Sequence, residues 1–263
     1  MYQDQDFGAQ LRDWRRRRRL SQLDLAAEAD LSTRHLSFVE TGRSKPSRET
    51  VMRLAEALEL PLRGRNALLM AAGYAPSFPE RSLDDARQAD ARELVQRILD
   101  AHMPFPALAV DRHWQLVAHN KMAGALMAGA AAHLLEPPVN VLRLSLHPEG
   151  SAPQIVNLAD WKRHVLDRLR HQFNESGDPV LEALIEELRQ FPAPSSKAPA
   201  SSSGAQIAVP LIIDAPAGRL SFISTTTVFG TPIEVTLSEL AIESFFPADQ
   251  ETAERLRGMA EAL

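Results

Sequence analysis

The stretch SQLDLAAEADLSTRHLSFVETGRSKPSR, residues 21–48, decides how the front of the chain folds. Ser21 is a helix N-cap, and Asp24 stands three residues later in the Ser-x-x-acid spacing of a capping box. The helix so opened carries Leu25, Ala26 and Ala29. It meets Asp30, a residue that tolerates the left-handed conformation a helix end requires. Leu31 is apolar and Ser32 caps a second helix, which buries Leu36 and Val39 and stops at Thr41-Gly42. Pro46 and Ser47 open the next helix, with Val51, Leu54, Ala55 and Leu58 as its apolar stripe.

Two short helices joined by a turn of about three to four residues have helix-turn-helix geometry, in which the second helix enters the DNA major groove. A plain helical hairpin in a bundle has the same spacing. Gln22, Ala26, Leu31-Ser32, Val39-Glu40 and Gly42 separate the two readings, because in them the chain resembles the phage-repressor-like (XRE-type, Cro/C1) helix-turn-helix, with Asp30 in the usual place of glycine. The resemblance makes Gln22 a partner of a phosphate or of a neighbouring recognition residue. With Leu36 and Val39 turned inward, the recognition helix, N-capped by Ser32, exposes Thr33, Arg34, Ser37 and Phe38. Arg34 suits a bidentate contact to guanine or a phosphate contact, and Thr33 a base or a phosphate. Phe38 is either core or a neighbour of a thymine methyl, and His35 caps or meets backbone. Arg43, Ser44 and Lys45 follow the helix, where loops meet phosphate, and Arg48 joins them at the next helix start.

A chain of 263 residues suits two domains, at ~100–200 residues each. The net charge of −5 argues against a nucleic-acid binder until it is divided: residues 1–65 carry +3 and the remainder −8. A basic front and an acidic back suit a DNA-reading module joined to one that avoids DNA. There is no cysteine, hence no disulfide, thiolate metal site or cysteine nucleophile. MYQDQDFG lacks a signal pattern, and Met122–Leu135 is too short for the ~20 apolar residues of a bilayer span, so a cytoplasmic protein without membrane contact is expected. No Gly-rich phosphate loop, His-Glu-x-x-His or Gly-x-Ser-x-Gly is present, so no enzyme and no metal are expected. His113, His119, His133 and His147 lack ligand spacing, which leaves a histidine-bound haem as a distant option.

Helices are expected over 7–20 and 61–74, giving five in an all-α domain at 1–75, with the run Arg15–Arg19 supplying one or more phosphate contacts. Residues 76–103 read as a linker and connecting helix, the helix from about Leu83 to His102. Phe105–Val110 and Trp114–Ala118 flank Asp111-Arg112-His113 as a β-hairpin. Asn120 caps a helix to about Leu135, Val141–Leu146 is ambiguous, and helices cover 155–173 and 179–191. The Pro/Ser/Ala-rich insert 192–204 is a flexible loop. Strands are expected over 207–213, 219–229 and 233–243, the last with a parity slip near Ser238-Glu239, followed by Phe245-Phe246-Pro247 closing the sheet and a terminal helix.

The fold class is therefore α+β: an all-α helix-turn-helix domain, then residues 104–263 as a PAS-like domain with helices over one face of a five-stranded antiparallel sheet. Pro104-Phe-Pro-Ala-Leu, Asp111-Arg-His-Trp, NVLRLSLHP from Asn140, IVNLADW from Ile155 and SFFPAD from Ser244 resemble the bacterial XRE-type regulators with an MmyB-like ligand-binding domain. The resemblance implies a one-component transcription regulator whose C-terminal domain holds a small apolar, fatty-acid-like molecule in place of a cofactor. Because one recognition helix covers few base pairs, two half-sites about one helical turn apart are expected, hence a homodimer on a near-palindromic operator in double-stranded DNA. The expected pocket walls are Trp114, Leu116, Trp161, Val165, Phe222 and Val228, with Asn120, Arg143, His147 and His164 as polar groups for the ligand head. The rival reading is a DNA-binding protein whose back domain, with a filled core, only dimerises or docks.

Overall fold

The computed structural model describes residues 6–81, 89–194, 209–230 and 234–263. They form two compact units, residues 6–81 with 234–238, and 89–194 with 209–230 and 239–263.

The first unit contains α1 (Phe7–Arg17), α2 (Gln22–Glu28), α3 (Thr33–Glu40), α4 (Arg48–Ala57) and α5 (Leu62–Ala71). Local chemistry sets their ends. The Ser21 hydroxyl accepts from the Asp24 N–H at 3.1 Å while the Asp24 carboxylate accepts from the Ser21 N–H at 2.9 Å, a closed capping box. These bonds hold the Asp24 carboxyl below the usual carboxylate range. Asp30 takes the left-handed conformation, φ +52°, and Leu31 donates back to the Ala26 carbonyl. Arg19, at φ +57°, ends α1 before the expected Leu20. Leu11, Leu25, Leu36, Leu54, Leu58, Leu68 and Leu69 are fully buried in one core with Trp14.

The second unit runs α6 (Ala89–Ala101), β1 (Ala107–Val110), β2 (Leu116–His119), α7 (Lys121–Met127), α8 (Val141–Leu146), α9 (Leu158–Ser176), α10 (Pro179–Gln190), β3 (Leu211–Ala215) and β4 (Gly218–Val228). After α11 (Val235–Ser238), β5 (Ala241–Pro247) and α12 (Gln250–Ala260) complete it. The five strands form one antiparallel sheet in the order β2-β1-β5-β4-β3. Alternate β1 residues face opposite ways. Leu108 and Val110 join the main core with Phe222 and the α8–α10 residues, whereas Ala107 and Ala109 pack with Val95 and Leu99 of α6. Helices thus cover both faces at β1, where helices over one face were expected; the apolar Val95–Leu99 edge of α6 and the small Ala side chains make the second layer possible.

Three further expectations change. Val141–Leu146 is a helix, because the Asn140 side chain accepts from the Leu142 and Arg143 N–H groups. The helix after Asn120 stops at Met127, where the Ala/Gly-rich 128–132 supplies no apolar stripe for another turn. The expected strand 233–243 begins in fact with the helical turn α11, and the parity slip near Ser238 is where that turn ends. Val235, fully buried, belongs to the first unit: its N–H donates to the Pro79 carbonyl at 2.9 Å, Thr236 donates to the Arg81 carbonyl, and Arg81 pairs with Glu234 at 3.1 Å. Residues 83–88, 195–208 and 233, on which parts of the expected connecting helix, insert and strands fall, lie outside the described residues.

Candidate functional site

On α3, Leu36 and Val39 are buried while Thr33 and Arg34 are exposed and His35, Ser37 and Phe38 half-buried. The Ser32 hydroxyl accepts from the His35 N–H at 3.1 Å, so Ser32 acts as N-cap and the bond uses the His35 backbone, not its ring. The Arg34 guanidinium lies over the Phe38 ring, 5.4 Å from its centroid, one turn away. Arg43, Lys45 and Arg48 are exposed and Ser44 half-buried. Lys45 sits 5.8 Å from the Tyr74 ring centroid, and Arg48 donates to the Ser77 hydroxyl at 2.5 Å. The chain thus presents a polar helix face followed by a basic loop, the arrangement that reads a groove and grips its phosphates.

Behind that face lies an ion-pair network that sequence reading missed. The Glu40 side chain is 1% exposed and takes a bidentate bond from Arg15, at 2.6 and 3.0 Å, and one from the Gln22 amide at 2.8 Å. Arg12 donates to the Glu40 carbonyl at 2.7 Å. The Gln22 amide is thus engaged within the protein by the buried carboxylate that ends α3. The arginine run divides: Arg15 serves Glu40, Arg18 donates to the Leu58 carbonyl at 2.9 Å, and Arg16, Arg17 and Arg19 stay exposed. The i, i+3 spacing of Arg12 and Arg15 was the available signal. Gly8 allows this approach of α1 to α3, since a Cβ there would lie 2.4 Å from the Glu40 carbonyl oxygen. Gly8→Ala should therefore destabilise the first unit by about 1–3 kcal/mol, seen as faster hydrogen exchange in α1 and α3.

The second unit contains a cavity of about 120 Å³. Its walls are Leu108, Trp114, Leu126, Val141, Trp161, Val165, Leu211, Ile213, Phe222 and Phe245, with His164, Arg168, Ser145, Ser151 and Glu243 as polar lining. Trp114 comes to it from the β1–β2 turn. There the Asp111 carboxylate accepts from the His113 and Gln115 N–H groups at 2.8 Å, and Trp114 sits at φ +64°. The Trp114 indole N–H donates to Gln172 at 2.9 Å and that of Trp161 to Ser145 at 3.0 Å. Arg168 lies 4.4 Å over the Trp114 ring and binds Glu243 with both ends of its fork. Burial, then Arg168, holds the His164 pKa below the ordinary imidazole value.

Of the expected pocket residues, Trp114, Trp161, Val165, Phe222 and His164 line the cavity. Five do not. Val228 is 62% exposed at the end of β4, and Leu116 packs at the edge of the core. Asn120 is wholly buried as a structural link, accepting from the Ala123 and Ala107 N–H groups and donating to the Leu99 and Phe105 carbonyls. Arg143 pairs with Glu187, at 2.5 and 2.8 Å, away from the cavity. His147 joins His133 and Glu149 in a surface group whose ligand atoms lie within 4.8 Å. Its Nδ1 accepts from the Glu149 N–H at 3.1 Å, and none of the three residues lines the cavity. Arg168 and Glu243 were not anticipated. Trp161, His164, Val165 and Arg168 nevertheless share the i, i+3, i+4, i+7 spacing of one helix face, and Glu243 has the same strand parity as Phe245.

A helix-turn-helix unit followed by a second unit built around an apolar cavity is the architecture of the chain. Residues 6–68 match the helix-turn-helix domain family, and residues 91–259 match the family described as MmyB-like transcription regulator ligand binding domain. That second match spans more than half of the sequence, and the chain belongs to this family of transcription regulators, which are not enzymes. It is similar to the uncharacterized HTH-type transcriptional regulator RghRB of Bacillus subtilis (strain 168), 39% identical over 75 residues, 28% of this chain and 52% of that protein. The matched segment thus spans about half the length of that relative. A structure titled an RNA-binding Light-Oxygen-Voltage receptor aligns with 96% of this chain and 63% of its own, at 12% identity and a TM-score of 0.28. Among the described residues no helix is long and apolar enough to cross a membrane.

Proposed function

We propose that the chain is a one-component, cytoplasmic regulator that binds a near-palindromic operator as a homodimer and senses a small apolar molecule in its second unit. The observation that carries the sensing is the cavity: about 120 Å³, walled by Trp114, Trp161, Val165 and Phe222. Cavities of roughly this size accept a ligand such as benzene. A ring or a short chain fits this volume, and a long acyl chain of the fatty-acid kind requires the walls to part. The strand order β2-β1-β5-β4-β3, with α8–α10 against the Leu108 and Phe222 face, supports a PAS-like reading of the unit.

One recognition helix covers few base pairs, so a dimer reading two half-sites about one helical turn apart follows from groove geometry. The ligand would act by binding two dimer geometries unequally, the condition for any shift between them. Native mass spectrometry of the full chain, followed by organic extraction, tests the reading. A dimer carrying a discrete apolar adduct is expected. A dimer without adduct whose melting is unmoved by added acyl chains would leave a DNA-binding protein with a structural back half, and a monomer would overturn the dimeric reading.

A further inference from the structure

Resting on that ligand-binding reading, we infer that the ligand's polar group is uncharged, an alcohol, amide or ester rather than a carboxylate, and that His164 is its partner. The cavity's only lining cation among the described residues is Arg168, and its charge is already matched. Its Nη1 lies 3.0 Å from one Glu243 oxygen and its Nη2 2.5 Å from the other, a fork-to-carboxylate pair. Thr226 donates to the same carboxylate at 2.7 Å and also accepts from Arg168. The Trp114 ring covers the guanidinium face at 4.4 Å.

Glu243 is itself in the lining, with its side chain 5% exposed. An ionised carboxylate entering the cavity therefore meets a neutral pair and a like charge. It gives up its hydration without gaining a free cation, which is costly in an apolar site. A neutral hydroxyl or carbonyl gives up far less. The indole N–H groups of Trp114 and Trp161 are also occupied, by Gln172 and Ser145. His164 differs from these groups: it lines the cavity, stacks against Trp161 with centroids 5.4 Å apart, and makes no hydrogen bond among the described residues. Kept neutral by burial, its ring offers one donor and one acceptor.

The test compares matched probes on the full chain by calorimetry near pH 8, where carboxylic acids are ionised: 1-octanol against octanoate, and benzyl alcohol against benzoate. The neutral member of each pair is expected to bind at least about tenfold tighter. An acid that binds as tightly as its alcohol overturns the inference while leaving the cavity reading intact. If no member of either pair binds, the cavity reading fails and the inference with it. Glu243→Gln, checked for folding by circular dichroism, unmasks the Arg168 charge and should raise octanoate affinity about tenfold. Octanoate affinity unchanged in a folded variant refutes the masking role of Glu243. Should the variant not fold, the wild-type comparison still decides.

Discussion

Replacing Glu40 with alanine is expected to cost the first unit about 3–5 kcal/mol, the penalty for leaving a buried charge without its partner. The carboxylate joins three helices at once. Arg15 of α1 grips both its oxygens, Gln22 opens α2 and donates to one of them, and Glu40 itself is the last residue of α3. Without it, Arg15, its side chain only 12% exposed, keeps a single bond to the Leu20 carbonyl at 3.0 Å. Hydrogen exchange of α1 and α3 amides in the full chain reads the loss locally, whatever the second unit does. Protection within about 1 kcal/mol of wild type would sink the idea that this network holds the recognition helix in place.

The same carboxylate sets an acid limit. Burial by itself pushes the Glu40 pKa up, but the bonds from Arg15 and Gln22 outweigh it and hold the group below the ordinary value. A folded-state pKa below the unfolded one means that the unfolded chain binds the proton more readily. The stability from Glu40 is thus complete above the unfolded value of about 4.3 and is lost as pH falls through the folded one. Asp178, held down by His113, and Glu187, held down by Arg143, follow the same sign in the second unit. Glu40→Gln should therefore flatten the acid limb for α1–α3 amides while leaving the second unit's intact.

What could be read from the residues was what neighbours in sequence decide. Ser21 with Asp24, Asp30 before Leu31, and Ser32 before the 36/39 pair fix two helices and their turn through bonds spanning at most five residues. Enrichment in Ile, Val, Thr and Phe between Gly/Pro turns likewise marked the strands around Leu211 and Leu220. It failed at Val235, because an apolar residue buried against the Pro79–Arg81 segment looks the same in sequence as one buried in a sheet. The cavity was half legible for the same reason. Trp161, Val165 and Phe222 are inward by period alone, but polar partners depend on pairings across the fold. Arg143 looked like a head-group ligand until Glu187, 44 residues on, took it. Arg168 and Glu243, 75 residues apart, form the pair that sets the cavity's charge.

Arg34→Ala should relax the preference at one operator base pair by about 1–3 kcal/mol, the worth of a bidentate contact to guanine. Arg34 is the second residue of α3, exposed, and its guanidinium rests over the Phe38 ring at i+4, which orients the fork while its in-plane N–H edge stays open to a base. Lysine, a point charge without the planar fork, should not restore the preference. Phe38→Ala should weaken it partway by freeing the Arg34 rotamers. Arg48 lies at the start of α4, bound to Ser77, where a phosphate contact carries no sequence information. Arg48→Ala should therefore weaken all duplexes alike and lower the slope of log affinity against log salt by about one contact. Selection from randomised duplexes, with affinity measured across a salt series, separates the two. If Arg34→Ala lowers affinity but the selected sequence is that of wild type, Arg34 grips backbone instead, and the reading of bases passes to Thr33 and Ser37 on the same face.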